Sequence, residues 1–479
     1  MREFHKADPM AAKLLGPQKL RAGSDYLPSP FLYPVELDGK RYWYSTLTKQ
    51  GLELPTDFDP AGPWTTAQIE ADPDLTELMR GYFLKPADRD ETKFYESVNA
   101  MMRAFYTKKG ITAFFILPTT ACNARCAYCY EAGIKPVSMG SETVAQTLAF
   151  ILRSRRPKEQ LLLQWFGGEP LLGVGVIDRI SEGLREAGVE FQSGFITNGS
   201  LIGDALLEKM TGPWNTQSVQ ITLDGAEERY GQIKRYVNCP DAYRRVLRAV
   251  GLLAERGVRV SVRLNLDGTN RGEVADILRD LAAQVAVRDT LWVYASPIYQ
   301  RRMSEDCLPA WEEALEVTKQ ITDAGFRTLQ QLGLGTKFRI NRCMAANPTN
   351  NILITPEGRL SFCQHRLEGL LYGSVSEGIT DQAALKAFSV PPPTAAKCRD
   401  CPFLPDCTAF QACPVYDRDC KAIRLLRAEP QLHEMIRAAE AKASEAKTAG
   451  AKAAEAEAPE EGEQASAQES MEELISLSI

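Results

Sequence analysis

Strand-like and helix-like segments alternate through the middle of the chain, and this pattern restricts the possible folds more than any other feature. Six apolar segments have the length and composition of buried strands, and a segment with helical periodicity follows each of them. Nearly continuous apolar strands joined by crossover helices predict a parallel sheet. Six such units predict an α/β fold, a partial (β/α)6 barrel with ligands at the carboxyl ends of its strands. The predicted strands are 112–120, 160–168, 190–199, 219–225, 258–268 and 290–299; the predicted helices lie near 141–153, 174–187, 202–211, 241–256, 273–284 and 306–333.

The residues before this alternation predict a small α+β module at 1–92. In FLYPVEL-DG-KRYWYSTL, apolar and polar residues alternate on both sides of an Asp-Gly pair, which is a strong signal for a two-residue hairpin. KQGLELP predicts a third short strand, and ADPDLTELMRGYFLK predicts a helix capped by Asp72 or Asp74. Residues 1–30 show no clear periodicity, so we expect a loose arm there.

Cysteine is clustered, and histidine is almost absent. Of the 12 cysteines, three lie between 122 and 129 and seven between 343 and 420, whereas the chain has 3 histidines. The N-terminal residues do not resemble a secretory signal, so we expect a cytoplasmic protein without a disulfide framework. A metal site must then be dominated by thiolates, which favours iron–sulfur clusters or an all-cysteine zinc site. Cys239 and Cys307 are isolated and are better explained as packed or free thiols.

Composition makes two other classes of partner improbable. The formal net charge is -6, which argues against a general nucleic-acid binder. The sequence has no run of about 18 apolar residues, so we expect no membrane-spanning helix. Residues 428–479 are rich in Ala, Glu and Lys, and they predict a helix followed by a disordered acidic tail.

Three cysteines follow the first predicted barrel strand. Cys122, Cys126 and Cys129 form a C-x3-C-x2-C pattern. Three thiolates on one loop can ligate three irons of a [4Fe–4S] cluster, and the fourth iron then stays open to another ligand. On spacing alone, three incidental thiols or part of a zinc site explain the pattern equally well.

This loop resembles the signature of radical S-adenosylmethionine (radical SAM) enzymes, with Tyr128 as the aromatic residue before the last cysteine. The ends of the next three strands are also similar to that family. They are Gly167-Gly168-Glu169-Pro170, Thr197-Asn198-Gly199 and Thr222-Leu223-Asp224-Gly225.

The resemblance implies that these strand ends bind S-adenosylmethionine (SAM), and that Glu169 meets the methionine ammonium group. Arg235 is a candidate for the methionine carboxylate, although a solvated surface arginine explains it equally well. The resemblance also implies that the reduced cluster cleaves SAM, and that the resulting radical removes a hydrogen atom from a substrate.

The C-terminal cysteines are similar to the SPASM extension of peptide-modifying radical SAM enzymes. The resemblance implies two auxiliary [4Fe–4S] clusters, and therefore three clusters in all. The first would be held by Cys343, Cys363 and Cys413, and the second by Cys398, Cys401, Cys407 and Cys420. Seven thiolates for eight positions leave one iron of the first cluster open, unless Cys307, Cys239 or His365 completes it.

Two features of this region leave alternatives open. Five residues separate the third and fourth cysteines of the middle group, where the family pattern has three. A structural zinc ribbon would use Cys398, Cys401, Cys407 and Cys413. Within the same region, NNILITPEGRLSFC predicts a hairpin that turns at Pro356-Glu357-Gly358.

Together, these resemblances imply a peptide maturase. Its substrate would be a ribosomally made precursor peptide with a leader, its electron donor a flavodoxin or ferredoxin, and its product an intramolecular crosslink, most plausibly a Cys thioether. The alternatives are a carbon–carbon or carbon–oxygen crosslink, formylglycine formation, or a non-enzymatic zinc- or cluster-binding adaptor. The N-terminal module resembles elements that add a leader as an extra strand, although a plain packing domain is also possible. The expected domains are 1–92, 93–335, 336–427 and 428–479.

Overall fold

The computed structural model describes most of the chain outside the C-terminal cysteine-rich region. The described residues are 1–106, 110–129, 131–298, 308–328, 350–361, 371–389, 394, 396–399, 401–406 and 420–456.

The described residues form two main sheets and thirteen helices. The strands are β1 (Arg2–His5), β2 (Tyr26–Pro28), β3 (Leu32–Leu37), β4 (Lys40–Ser45), β5 (Gly51–Glu53), β6 (Leu84–Pro86), β7 (Ala113–Ile116), β8 (Leu161–Trp165), β9 (Phe191–Thr197), β10 (Thr216–Leu223), β11 (Arg259–Leu266), β12 (Leu291–Pro297), β13 (Asn351–Ile354), β14 (Arg359–Ser361), β15 (Leu371–Ser374) and β16 (Gly378–Ile379). The helices are α1 (Pro9–Leu15), α2 (Thr66–Ala71), α3 (Pro73–Arg80), α4 (Glu91–Tyr106), α5 (Ser141–Ser154), α6 (Val174–Glu186), α7 (Asp204–Thr211), α8 (Glu227–Lys234), α9 (Ala242–Glu255), α10 (Val274–Gln284), α11 (Leu308–Asp323), α12 (Gln382–Ser389) and α13 (Cys420–Ala456).

The N-terminal sheet has the strand order β1-β5-β4-β3. Its predicted hairpin is confirmed: Leu37 pairs with Lys40, and Asp38 and Gly39 between them have φ angles of 51° and 74°. Two successive positive φ angles characterise a type I′ turn, whose twist matches that of the flanking strands. The third strand, β5, and the Asp72 cap of α3 are confirmed as well.

The prediction of a loose arm at the N-terminus is wrong. β1 pairs antiparallel with β5, and α1 follows it, capped by the Asp8 side chain. β1 has four residues, too few to establish an alternation. Its stability comes from pairing with a strand that lies far away in sequence, and local sequence cannot reveal that partner.

All six predicted barrel strands are present, in the order β7-β8-β9-β10-β11-β12, and every neighbouring pair is parallel. The helices between them agree with the prediction, except that α8 is an additional helix before α9. The α/β fold with a large parallel sheet is therefore confirmed. Because sequential parallel strands place their carboxyl ends at one edge, the loops that follow β7 to β11 gather there.

A hairpin from the C-terminal part of the chain extends this sheet. β13 pairs in parallel with β7, and it pairs antiparallel with β14. The predicted turn is confirmed, with Gly358 at φ 76°. The sheet thus continues beyond β7 instead of ending there.

The two faces of the large sheet differ in chemistry. On β10, Val219, Ile221 and Leu223 belong to the main core that packs against the helices. Alternation places Gln220 and Thr222 on the opposite, inner face. That face is apolar on β13 and on β7 to β9, where Leu117, Phe166 and Leu353 cluster with Phe115 and Ile196. It is polar on β10 and β11, and on β12 it carries Trp292, Tyr294 and Ser296.

Helix α13 covers the N-terminal sheet. Ala428, Leu432 and Ile436 are fully buried in one cluster with side chains of β1, β3 and β4. Glu440 accepts hydrogen bonds from Lys40 at 2.8 Å and from Arg2 at 3.3 Å. The predicted helix at the start of the tail is confirmed and extends to Ala456, whereas the predicted disordered tail lies outside the described residues. No helix in the described part of the chain has both the length and the apolar character needed to cross a membrane.

Candidate active site

The three-cysteine loop follows β7 and is anchored to the end of α8. The Arg125 amide donates to the Lys234 carbonyl at 2.8 Å, and the Ala127 amide donates to the Ile233 carbonyl at 3.2 Å. These bonds hold both sides of Cys126 in place. The backbone after β10 thus determines the course of the loop after β7.

The three thiols lie within electrostatic reach of one another. Burial raises the pKa of Cys122 to about 11, and the charges of Cys126 and Cys129 contribute to this increase. Burial also raises the pKa values of Cys126 and Cys129, while Lys234 acts in the opposite direction on both. The loop is therefore a poor place for three free thiolates, and bound metal together with Lys234 would stabilise them.

The donor set fits an iron–sulfur cluster better than a single ion. None of the three cysteines is in a disulfide, and all three are partly buried. Among the described residues, no group of three His, Cys, Asp or Glu side chains is arranged to hold one metal ion. A [4Fe–4S] cluster takes one thiolate per iron, so its ligands stand further apart. Cys122, Cys126 and Cys129 would hold such a cluster.

The Gly-Gly segment after β8 packs directly against this loop. A Cβ atom on Gly168 would lie 2.3 Å from the Ala121 carbonyl oxygen and 2.5 Å from that of Thr120. Gly167 has φ 125°, and a Cβ there would lie 2.5 Å from the Thr119 carbonyl oxygen. Only glycine permits this backbone approach. The two glycines thus bring the ends of β7 and β8 together.

Glu169 is completely buried and connects two strand ends. One carboxylate oxygen accepts from the Thr197 hydroxyl at 2.6 Å and from the Leu171 amide at 3.1 Å. The other accepts from the Asn198 amide at 2.8 Å. Burial raises its pKa, and these three donors oppose that shift. Glu169 therefore positions the 197–198 segment, in addition to the predicted contact with a methionine ammonium group. Pro170 begins a short 3-10 helix, Pro170–Gly173.

The end of β9 is connected to the cysteine loop by side-chain amides. Asn198 donates to the Asn123 side chain at 2.8 Å, and Asn123 donates to Ser200 at 2.9 Å. The structure therefore brings the predicted Thr197 and Asn198 segment next to the predicted cluster loop.

Tyr128, Asp224 and Lys234 form a buried polar network beside the cysteines. The Lys234 ammonium lies 2.9 Å from Asp224, donates to the Tyr128 hydroxyl at 2.9 Å and donates to Thr222 at 2.7 Å. The Tyr128 hydroxyl donates to Asp224 at 2.7 Å. Asn265 donates to Asp224 at 2.7 Å and to Tyr128 at 3.0 Å. The network fixes the aromatic residue between the second and third cysteines.

Sequence reasoning missed Lys234 and Asn265. It selected Arg235, whose side chain is exposed and donates to the Gln232 carbonyl at 3.3 Å. Lys234 is the last residue of α8, and Arg235 follows it in a left-handed conformation with φ 47°. Of the two adjacent basic residues, Lys234 points inward. Lys234 lies four residues after the buried Tyr230 on α8, and this helical spacing was the signal that could have favoured it.

Most of the predicted auxiliary ligands lie outside the described residues. These are Cys343, Cys363, Cys407 and Cys413, together with the alternative ligands Cys307 and His365.

The described residues do place Cys398 and Cys401 next to the N-terminal module. Both are partly buried, in separate clusters with residues of that module. Nearby, Phe403 packs against Tyr33 with ring centroids 5.7 Å apart. Cys420 begins α13.

Residues 116–281 match the family model described as the radical SAM superfamily, so this part of the chain is a radical SAM domain. The match spans the cysteine loop and the ends of β8 to β11. The fold and the loop together imply a [4Fe–4S] cluster and SAM as cosubstrate.

Several known proteins are similar to the chain. A GTP 3',8-cyclase of Clostridium perfringens (strain 13 / Type A) is 27% identical over 286 residues, 55% of this chain and 84% of that protein. The solved structure of anSMEcpe with bound AdoMet and Kp18Cys peptide has a TM-score of 0.52 at 14% identity and covers 68% of this chain and 99% of its own. The structure of Streptococcus suis SuiB bound to S-adenosylmethionine has a TM-score of 0.50 at 12% identity. The match covers 84% of this chain and 99% of SuiB. At these identities the solved structures show a shared fold.

Proposed function

We propose that this protein is a radical SAM peptide maturase. The observation that carries the proposal is the three-thiol loop at the carboxyl edge of the parallel sheet, bonded to the buried Lys234 and Asp224 pair. The proposed peptide substrate is supported by the similarity in fold to anSMEcpe, whose structure was solved with bound AdoMet and the Kp18Cys peptide.

The residues of the chain position the reactants and exclude water. Cys122, Cys126 and Cys129 hold the cluster, and the Gly167–Gly168 backbone closes one side of the site. When bound, the cluster and SAM supply a carbon radical that removes a hydrogen atom from the substrate. Asp224, Lys234 and Asn265 hold Tyr128 in place beside the cysteines.

We propose that the product is an intramolecular crosslink, most plausibly a thioether between a Cys sulfur and a residue carbon. The bond forms with loss of two hydrogens from the peptide: one goes to the deoxyadenosyl group and one leaves the thiol as a proton. One electron must then be accepted, and the auxiliary clusters that the C-terminal cysteines would hold could supply the acceptor. Flavodoxin or ferredoxin is the proposed electron donor for the cluster held by Cys122, Cys126 and Cys129. Carbon–carbon or carbon–oxygen crosslinking and formylglycine formation are the alternative outcomes.

The N-terminal module is the proposed leader-binding element. In the described chain, β3 has one strand neighbour, β4, so the other edge of β3 can accept an added strand. Pro34 lies on this strand, and proline is tolerated at a sheet edge because it lacks an amide hydrogen. Helix α13 packs against one face of this sheet and adds no strand to it. We propose that the module extends over residues 1–92.

The proposal is tested by anaerobic reconstitution with iron and sulfide, followed by reduction in the presence of SAM. The wild-type protein is expected to release 5′-deoxyadenosine, and a variant with Cys122, Cys126 and Cys129 all changed to Ala is expected to release none. The matched control is Cys239→Ala, a partly buried cysteine outside the loop. Continued SAM cleavage by the triple variant would refute the cluster assignment. Protein that binds zinc but no iron would favour the adaptor alternative.

The substrate class is tested separately. Peptides encoded beside the gene are incubated with the reconstituted enzyme, and a crosslink appears as the loss of two hydrogens by mass spectrometry. GTP, after which the Clostridium perfringens relative is named, is the comparison substrate. If GTP but no peptide stimulates SAM cleavage, the peptide proposal is wrong.

A further inference from the structure

Arg263 is a charged side chain on the polar half of the inner sheet face. It lies on β11, where it is paired with Thr222 of β10 and with Tyr294 of β12. One terminal nitrogen donates to the Ser296 hydroxyl at 3.0 Å. Its Nε atom is buried and has no hydrogen-bond partner. Within the described residues, no carboxylate lies within 4.0 Å of this guanidinium group.

Two other charged groups near this face, Asp224 and Glu169, are already compensated. Asp224 is paired with Lys234 at 2.9 Å, and it also accepts from Asn265. Glu169 accepts three hydrogen bonds from its own surroundings. Arg263 therefore gives this face an uncompensated positive charge. A partly buried guanidinium without a counter-charge is costly, and a carboxylate is the group that compensates it best.

The position of Arg263 places this charge close to the proposed reaction site. Asn265, two residues further along β11, donates to the Tyr128 hydroxyl. Two residues of a strand span about 7 Å, and both side chains point to the inner face. Across that face, Phe115, Phe166 and Ile196 form an apolar wall on β7 to β9. A substrate on the inner face would thus meet one apolar side and one cationic side.

We propose that Arg263 binds the side-chain carboxylate of an Asp or Glu residue in the peptide substrate, near the residue that is modified. This inference rests on the proposed peptide substrate. Arg263 is a specificity-determining residue: it selects acidic peptides and fixes their position on the inner face. The polar face and the apolar wall together select a peptide segment in which an acidic residue accompanies apolar neighbours.

The test is selection from an mRNA-displayed library in which random residues flank one fixed Cys. The library is panned over immobilised, reconstituted enzyme with SAM bound. Wild-type enzyme is expected to enrich Asp or Glu at one position by about tenfold, the factor typical of one charge-assisted hydrogen bond. Arg263→Gln is expected to lose this preference, and Arg263→Lys to keep part of it.

The matched control is Arg259→Gln, because Arg259 is an exposed arginine at the start of the same strand. It is expected to show the wild-type preference. Iron content and melting temperature show whether each variant is folded. If a variant does not fold, the preference of the wild-type enzyme for acidic residues still tests the inference. Enrichment of peptides without any acidic preference, or an unchanged preference in Arg263→Gln, would overturn the role of Arg263 and leave the proposed function intact. If wild-type enzyme enriches no peptide, the peptide substrate and this inference both fail.

Discussion

Lys234 and Asp224 form an ion pair that is almost completely removed from water, and its loss is predicted to be costly. Their charged atoms are 2.9 Å apart, and the side chains are 3% and 0% exposed. Lys234→Met keeps most of the length of the side chain but removes its charge, so the Asp224 carboxylate is left buried without a cation. Breaking a buried pair from one side costs about 3–5 kcal/mol. For a domain of this size each kcal/mol lowers the melting temperature by about 2–4 °C, so we expect a loss of at least roughly 6 °C.

The assay is thermal and urea unfolding of the protein without metal, monitored by circular dichroism. Lys234→Met and Asp224→Asn are each expected to destabilise the protein, since each leaves one uncompensated group. The double variant is expected to lose clearly less than the sum of the two, because neither charge is then left alone. Because the Lys234 ammonium group donates to the Tyr128 hydroxyl on the cysteine loop, we also expect Lys234→Met to retain less iron after reconstitution.

The control is a second Lys–Asp pair on the same domain. Lys209 and Asp178 are 2.6 Å apart, but their side chains are 40% and 35% exposed. Lys209→Met is expected to cost less than about 1 kcal/mol, because water compensates an exposed carboxylate. Equal losses in Lys234→Met and Lys209→Met, or strict additivity in the double variant, would refute the reasoning from burial.

Two further predictions concern the glycine contact and the α13 interface. Gly168→Ala is expected to reduce SAM cleavage roughly 10–100-fold, because its Cβ would lie 2.3 Å from the Ala121 carbonyl oxygen and displace the cysteine loop; Gly175→Ala, where no atom lies within 4 Å, should keep wild-type cleavage. Burial, and to a lesser extent the charge of Glu429, raise the pKa of Tyr33 from 10.0 to about 12. The neutral phenol is thus favoured in the folded state, and its contribution is complete below pH 10 and lost as the pH rises through 12. The free energy of unfolding, measured by urea titration, should therefore fall less between these pH values for Tyr33→Phe than for the wild-type protein, by on the order of 2 kcal/mol; identical falls would contradict the shift.

The sequence was sufficient for the elements whose pattern is local. The barrel strands are rich in apolar residues, and their helices have a 3.6-residue period, so composition and order predicted the parallel sheet. The Asp38-Gly39 turn was predictable because a type I′ turn requires positive φ angles at both positions. The cysteine spacing and the three strand-end motifs pointed to the candidate site, since the carboxyl ends of sequential parallel strands share one edge.

Contacts between distant segments were decided only by the tertiary structure. β1 has no pattern of its own and is defined by its pairing with β5. The sequence predicted a helix at the start of the segment 428–479, and only the structure shows that its Leu432 and Ile436 are buried against the N-terminal sheet. Because these contacts join residues far apart in sequence, no window of the sequence contains both partners.

The charged groups of the candidate site show the same difference between what the sequence predicted and what the tertiary structure decided. The sequence identified Tyr128 and Asp224 as separate motif residues, whereas the structure joined them through Lys234 and Asn265. Which of two adjacent basic residues faces inward depends on where α8 ends, and a boundary is the least predictable property of a helix. Whether Arg263 has a partner depends on the side chains of both neighbouring strands. The sequence determined which chemical groups the chain carries, and packing determined which charges are compensated, because compensation depends on distances that only the folded chain has.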